Sequence, residues 1–145
     1  MEARLERVLI VEDDQSLQRS LQRALGLRFP AVRACGTRAE ASALIAGWRP
    51  QLVLLDVMLP DGNALDVLRA AAADGGPQPE VVAMSGFGRE DLADALRGLG
   101  VHRFLVKPLT PETLEEALRS VTAAAAVPAP ASSLGRWLRR ARRPS

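Results

Sequence analysis

Six chemically capable side chains stand where apolar runs end. Val8-Leu9-Ile10-Val11 gives way to Glu12-Asp13-Asp14, and Leu52-Val53-Leu54-Leu55 gives way to Asp56. Val81-Val82-Ala83-Met84 runs into Ser85, and Phe104-Leu105-Val106 into Lys107. Short unbroken aliphatic runs of this kind read as strands covered on both faces. If the strands are parallel, their carboxyl ends share one edge, and the six side chains converge there. Carboxylates gathered in one pocket raise one another's pKa, an arrangement that calls for a cation among them. Oxygen-only ligands with room for water and a phosphate suit Mg²⁺ or Mn²⁺. A lysine and a hydroxyl at the same edge suit phosphate oxygens. The chemistry that fits is phosphoryl transfer to Asp56, with a metal ion offsetting charge, Lys107 holding an oxygen and the carboxylate attacking in line. Each residue also has a plainer reading. Asp56 can cap a helix beginning near Ala64, Glu12-Asp13-Asp14 can cap the first helix, Ser85 can be a turn residue and Lys107 a surface lysine.

The elements that must position these groups follow from periodicity. From Ser16 the spacing becomes helical, with Leu17, Leu21, Ala24 and Leu25 on one face, Asp14 or Ser16 as cap and Gly26 near the stop. Ala31 to Cys35 predicts a short strand. Thr37-Arg38-Ala39-Glu40 has capping-box form and introduces Ala41, Leu44 and Ile45, with Gly47 ending that helix and Pro50 preventing its resumption. The strand at 51–56 precedes a helix with Leu65 and Leu68 inward and a Gly75-Gly76-Pro77 loop. Leu92, Ala95, Leu96 and Leu99 mark a fourth helix that stops at Gly98 or Gly100. Thr110-Pro111 opens a fifth, striped by Leu114, Ala117, Leu118 and Val121. Five strands alternating with five helices predict an α/β fold: a doubly wound five-stranded parallel sheet flanked by five helices.

Composition narrows the class. A chain of 145 residues, 48% apolar and 25% charged, makes one globular domain with a tail. Residues 1–122 are expected to form the domain and 123–145 an Ala/Pro/Ser linker with an arginine-rich end. No apolar run spans a bilayer and the N-terminus lacks a secretory core, so a cytoplasmic location is expected. The lone cysteine, Cys35, forms no internal disulfide, and His102 alone beside it makes no zinc cluster. All 17 acidic residues lie at or before Glu116, against 14 basic ones up to Arg119, a net −3 for that region. Arg136, Arg139, Arg140, Arg142 and Arg143 follow with no acid among them, so the basic balance belongs to the tail.

Val11-Glu12-Asp13-Asp14, Leu55-Asp56-Val57-Met58-Leu59-Pro60-Asp61-Gly62, Met84-Ser85-Gly86 and Phe104-Leu105-Val106-Lys107-Pro108 together resemble the receiver domain of bacterial two-component response regulators. The resemblance runs from about Arg7 to about Thr122. It implies a flavodoxin-like receiver fold and Asp56 as phosphoacceptor, supplied by a histidine on a sensor histidine kinase or phosphotransfer protein. It further implies Mg²⁺ held by Glu12, Asp13, Asp56 and the backbone carbonyl of Met58, with Asp14 left as the helix cap. Ser85 matches the switch hydroxyl, Lys107 the phosphate-binding lysine and Phe104 the aromatic that turns inward when the hydroxyl moves. A cis Lys107–Pro108 bond is also implied. The chain is then a signalling protein, not an enzyme, acting through contacts with an output protein.

Several positions depart from that family's pattern. Ala64 stands where many receivers have glycine, which predicts some strain in the loop. Met58 and Phe87, at positions that tune loss of the phosphoryl group, are both apolar, which predicts slow self-dephosphorylation. The Val101-His102-Arg103 segment lacks paired acids and Ala117 replaces an arginine, so the salt-bridged dimer of winged-helix regulators is not expected. Ser133 to Arg143 can place Leu134, Trp137, Leu138 and Ala141 on one helical side. That suits an anionic membrane, a nucleic-acid backbone or an acidic partner, with a solvated arginine tail as the favoured description. A phosphorylation-independent interaction module remains the alternative to the phosphoacceptor.

Overall fold

The computed structural model describes residues 5–86 and 88–126. Strands β1 (Arg7–Val11), β2 (Ala31–Cys35), β3 (Leu52–Asp56), β6 (Glu80–Ser85) and β7 (Phe104–Val106) form one sheet in the order β2-β1-β3-β6-β7. Every neighbouring pair is parallel. Strands β4 (Met58–Leu59) and β5 (Gly62–Asn63) make a separate antiparallel hairpin. Helices α1 (Gln15–Gly26), α2 (Arg38–Trp48), α3 (Ala64–Asp74), α4 (Glu90–Gly98) and α5 (Pro111–Ala126) complete the chain. No helix among the described residues is long and apolar enough to cross a membrane.

The aliphatic runs fill two layers by simple alternation. In β1, Val8 and Ile10 join Leu52, Leu54, Val82, Met84 and Leu105 on the face covered by α1 and α5. Leu9 and Val11 point the other way, with Val53, Leu55, Val81 and Ala83, under α2, α3 and α4. Both faces are therefore dry, which is why β3 needs an apolar residue at each position up to Asp56. The edge strand β2 instead exposes Arg33, whose guanidinium lies 4.8 Å from the centre of the Trp48 ring. A charge on an edge strand discourages pairing with another sheet.

Two helix ends and one expectation of strain are corrected. Helix α2 does not stop at Gly47. It runs through Trp48, which packs on the core, and Arg49 closes it in the left-handed conformation at φ 59°. The Arg49 guanidinium then pairs with Asp74 at 3.0 Å. Ala64 carries none of the strain expected of it, because it is the first residue of α3; Arg49 is the one non-glycine residue with positive φ among those described. Helix α5 continues four residues beyond Thr122, through alanines, the residue type with the strongest helix propensity. The tail from Val127, with its five arginines, lies outside the described residues, as does Phe87.

The layering predicts contrasting costs for two leucines. Leu54, fully buried in the central strand, should cost 2 to 5 kcal/mol, as a rough range, on replacement by alanine. Leu27, 90% exposed after α1, should cost less than about 0.5 kcal/mol. Urea unfolding of L54A and L27A measures both, and comparable losses would contradict the layering.

Candidate functional site

The strand order reverses direction of growth at β1, which has β2 on one side and β3 on the other. In open parallel sheets the crevice outside the carboxyl ends at this switch point is where ligands bind. Here β1 delivers Glu12 and Asp13 to the crevice, and β3 delivers Asp56. One carboxylate oxygen from each of the three lies within 4.8 Å of the others. Glu12 is completely buried and Asp56 is 6% exposed, whereas Asp13 is open to solvent.

Lys107, the chain's only lysine, enters from the end of β7. Its Nζ donates to Glu12 Oε1 at 2.5 Å and to Asp56 Oδ2 at 2.9 Å. A compact ammonium with three rotatable donors fits between two carboxylates, where the broad guanidinium fork would not. The backbone holds the same geometry: Lys107 N–H donates to Ser85 O and Val57 N–H to Met84 O, each at 2.9 Å. The Lys107–Pro108 peptide is cis.

The remaining oxygens are occupied locally. Asp56 Oδ1 accepts from Met58 N–H at 3.2 Å, and Glu12 Oε2 accepts from Asp14 N–H at 3.2 Å. Asp14 caps α1 by accepting from the amides of Ser16 and Leu17, so Ser16 is a donor there and not the cap. Asp56 caps nothing: Asn63 caps α3, in a reciprocal capping box with Asp66. The plain capping reading of Asp56 is thereby removed.

Electrostatics follow from two buried acids sharing one cation. Burial, reinforced by the neighbouring Asp56, pushes the Glu12 carboxyl above its ordinary value despite its bond to Lys107. Burial alone would lower Lys107, but its hydrogen bonds to Glu12 and Asp56 outweigh that and raise it. Cys35, beneath the same edge, is a core thiol that burial and the Glu40 charge push up to about 12. It is therefore protonated and inert.

Ser85 is half-buried at the end of β6, one residue beyond the Met84 that pairs with Asp56. Phe104 lies deeper along β7, opposite Ala83, packed on the core with the Arg97 guanidinium 4.7 Å from its ring centre. Met58 is 38% exposed on the hairpin. His102 is exposed and its Nδ1 lies 2.9 Å from Gly100 O, remote in role from the acidic cluster. Two participants have no counterpart in the sequence reading. Arg97, which also pairs with Asp94 at 2.7 Å, covers Phe104, and Asp61 bonds to the start of α2. Neither contact has a signal in local spacing, because each joins separate elements.

Residues 8–119 match the family model of the response regulator receiver domain. The chain belongs to the response regulator receiver family. It is therefore a receiver domain of the two-component signalling class. A relative, response regulator MprA of Mycobacterium sp. (strain KMS), is 33% identical over 117 residues, which make up 79% of this chain and 50% of that protein. The chain thus spans about half the length of the curated relatives it matches. The signal receiver domain of a putative Luxo repressor protein from Vibrio parahaemolyticus is similar in structure, with TM-score 0.74, 30% identity, and coverage of 83% and 92% of the two chains. A CheY-like receiver domain protein from Methanospirillum hungatei has TM-score 0.75 over 84% of this chain and 97% of that one, and at 24% identity it shows the fold alone.

The site makes a signed prediction about pH and metal. A carboxyl whose pKa is higher folded than unfolded binds its proton more tightly in the folded state. Its contribution to stability is complete below the ordinary value of 4.5 and is lost as pH rises through the folded value. Glu12→Gln should therefore raise metal-free thermal stability at neutral pH, and the difference should vanish towards pH 4.5. If Glu12 is a Mg²⁺ ligand, parent protein should gain about 2.7 kcal/mol at Mg²⁺ a hundredfold above its Kd, a gain that the variant loses. Thermal unfolding with Mg²⁺ or EDTA measures both. A variant less stable at neutral pH without metal would contradict the electrostatics.

Proposed function

We propose that this receiver domain is a phosphoacceptor in two-component signalling, phosphorylated on Asp56 by a sensor histidine kinase or phosphotransfer protein. The observation that carries the reading is the shared ammonium. Lys107 sits 2.9 Å from Asp56 Oδ2, beside a second buried acid and an exposed third one. A buried pair of acids is costly unless a cation or a protein charge offsets it. The chain supplies one such charge and leaves an all-oxygen cluster that suits Mg²⁺.

In this reading Glu12, Asp13, Asp56 and the backbone carbonyl of Met58 would hold Mg²⁺. The ion, when bound, supplies positive charge that offsets the phosphoryl oxygens. The Asp56 carboxylate attacks phosphorus; the new bond is oxygen to phosphorus, and the bond that breaks joins phosphorus to the donor's histidine nitrogen. Lys107 transfers its donors from the Asp56 carboxylate to the phosphoryl group it becomes. The acyl phosphate adds about one negative charge and new acceptor oxygens, which draw Ser85 towards them. Phe104 can then turn into the space Ser85 leaves, which requires it to part from Arg97. The rearranged face is read by an output protein, in the cytoplasm, and the domain is a switch and not a catalyst of turnover.

Residues 127–145 would be a linker and a charged end, with any affinity for nucleic acid or anionic membrane residing in Arg136, Arg139, Arg140, Arg142 and Arg143. The curated relatives extend to twice the length covered here, so the output belongs to this proposal and not to the match.

Incubation with Mg²⁺ and acetyl phosphate, followed by intact mass, tests the acceptor. One phosphoryl group should be gained, only with Mg²⁺, and Asp56→Asn should gain none. Apolar Met58 beside the acceptor predicts slow loss of the group once the donor is removed. Failure to gain phosphate from several donors and from a cognate kinase would overturn the reading, and a half-life of seconds would overturn the slow-loss expectation.

A further inference from the structure

The loop after Asp56 sends Val57 and Leu59 into the core and leaves its other positions outside. Met58, Pro60 and Asp61 are exposed, and Leu59 is the one residue of the 58–61 stretch that is buried. Yet this hairpin carries the Met58 amide that bonds to Asp56 Oδ1 at 3.2 Å. Polar contacts hold its exposed positions. At its base, Ala64 N–H donates to Val57 O and Asn63 shares its capping box with Asp66.

Its tip is fixed from a different helix. Asp61 Oδ1 accepts from Arg38 N–H at 2.6 Å and Oδ2 from Ala39 N–H at 3.1 Å. Thr37 Oγ1 accepts from Glu40 N–H at 3.1 Å, so the amides of the first three residues of α2 are all satisfied, two of them by the acceptor loop. Arg38 Nε also donates to Asp61 O at 3.2 Å. The Arg38 amide bond holds the Asp61 carboxyl below its ordinary value, so it is ionised when it faces the positive end of the helix. Gly62 lies against both partners: a Cβ there would come within 2.6 Å of Arg38 Cδ and 2.9 Å of Asp66 Oδ2, so those side chains would have to shift.

We infer that Asp61 is a positioning residue, which docks the acceptor loop on the start of α2 and thereby sets the Met58 backbone against Asp56 for metal binding. The inference rests on the phosphoacceptor reading for its metal site. It adds a residue outside the cluster, on a loop whose own strand pairing, Met58 with Asn63 and Leu59 with Gly62, transmits the constraint from tip to base. Residues that orient a metal's ligands typically alter affinity by an order of magnitude or more when removed.

Isothermal titration with MgCl₂ on the full chain tests it, using parent, Asp61→Ala, Asp61→Asn and Thr37→Ala. Asp61→Ala should weaken Mg²⁺ about tenfold, and Asp61→Asn, which keeps one acceptor oxygen, should fall between it and the parent. Thr37→Ala removes the cap of the same helix but leaves the loop docked, so its Mg²⁺ affinity should match the parent. If Asp61→Ala binds Mg²⁺ as the parent does, or Thr37→Ala weakens it equally, Asp61 has only a stabilising role and the inference fails by itself. If the parent binds no Mg²⁺, the metal-site reading fails and takes the inference with it.

Discussion

One ammonium between two buried carboxylates is the constraint on which the rest of the structure depends. Glu12 comes from β1, Asp56 from β3 and Lys107 from β7, the last separated from β3 by β6. Bringing them together requires parallel strands, since only then do three carboxyl ends share an edge. Parallel strands require crossover helices on both faces. Helices on both faces require central strands that stay apolar until the edge, as β3 does up to Asp56. The composition of the sheet and the charge at its edge are thus two consequences of one topology.

The same pocket shows why a receiver is poised and not merely stable. Burying Glu12 raises its pKa, and Lys107 offsets only part of the cost of two acids. A site that keeps excess negative charge favours a cation. On the proposed reading, an acyl phosphate on Asp56 would give the lysine better acceptors than the carboxylate. On the phosphoacceptor reading, charge that is slightly out of balance in the resting state would let a small chemical change move Ser85 and free Phe104 from Arg97. The hairpin after Asp56 needs the opposite property, rigidity, and obtains it from bonds to two helices.

Sequence patterning carried most of the fold because nearly every decisive feature is local. Unbroken aliphatic runs marked the strands, helical spacing marked the helices, and the residues after each run marked the edge. Asp14 as a cap follows from its position just before Gln15, where its carboxylate reaches the amides two and three residues on. What was not legible is what depends on contacts between elements. Gly47 looked like a helix stop, but the core packing of Trp48 carries α2 one residue further, and Arg49 adopts the left-handed conformation there. Asp61 stands within the Leu55–Gly62 motif, and nothing in that stretch announces that its carboxylate meets amides 22 and 23 residues earlier. The Arg97–Phe104 stack is hidden for the same reason. A single lysine in a chain otherwise served by arginine is the compositional clue that was available.

Covalent trapping of the acceptor tests the central claim most directly. After exposure to Mg²⁺ and a phosphodonor, borohydride reduces an aspartyl phosphate to the corresponding alcohol, and peptide mass after proteolysis locates the converted residue. The account predicts homoserine at position 56 and at no other carboxylate, with conversion strongly reduced by removing Mg²⁺ or by Lys107→Ala. Conversion at Asp13 or elsewhere, or none at Asp56 in protein that has demonstrably gained phosphate, would contradict it.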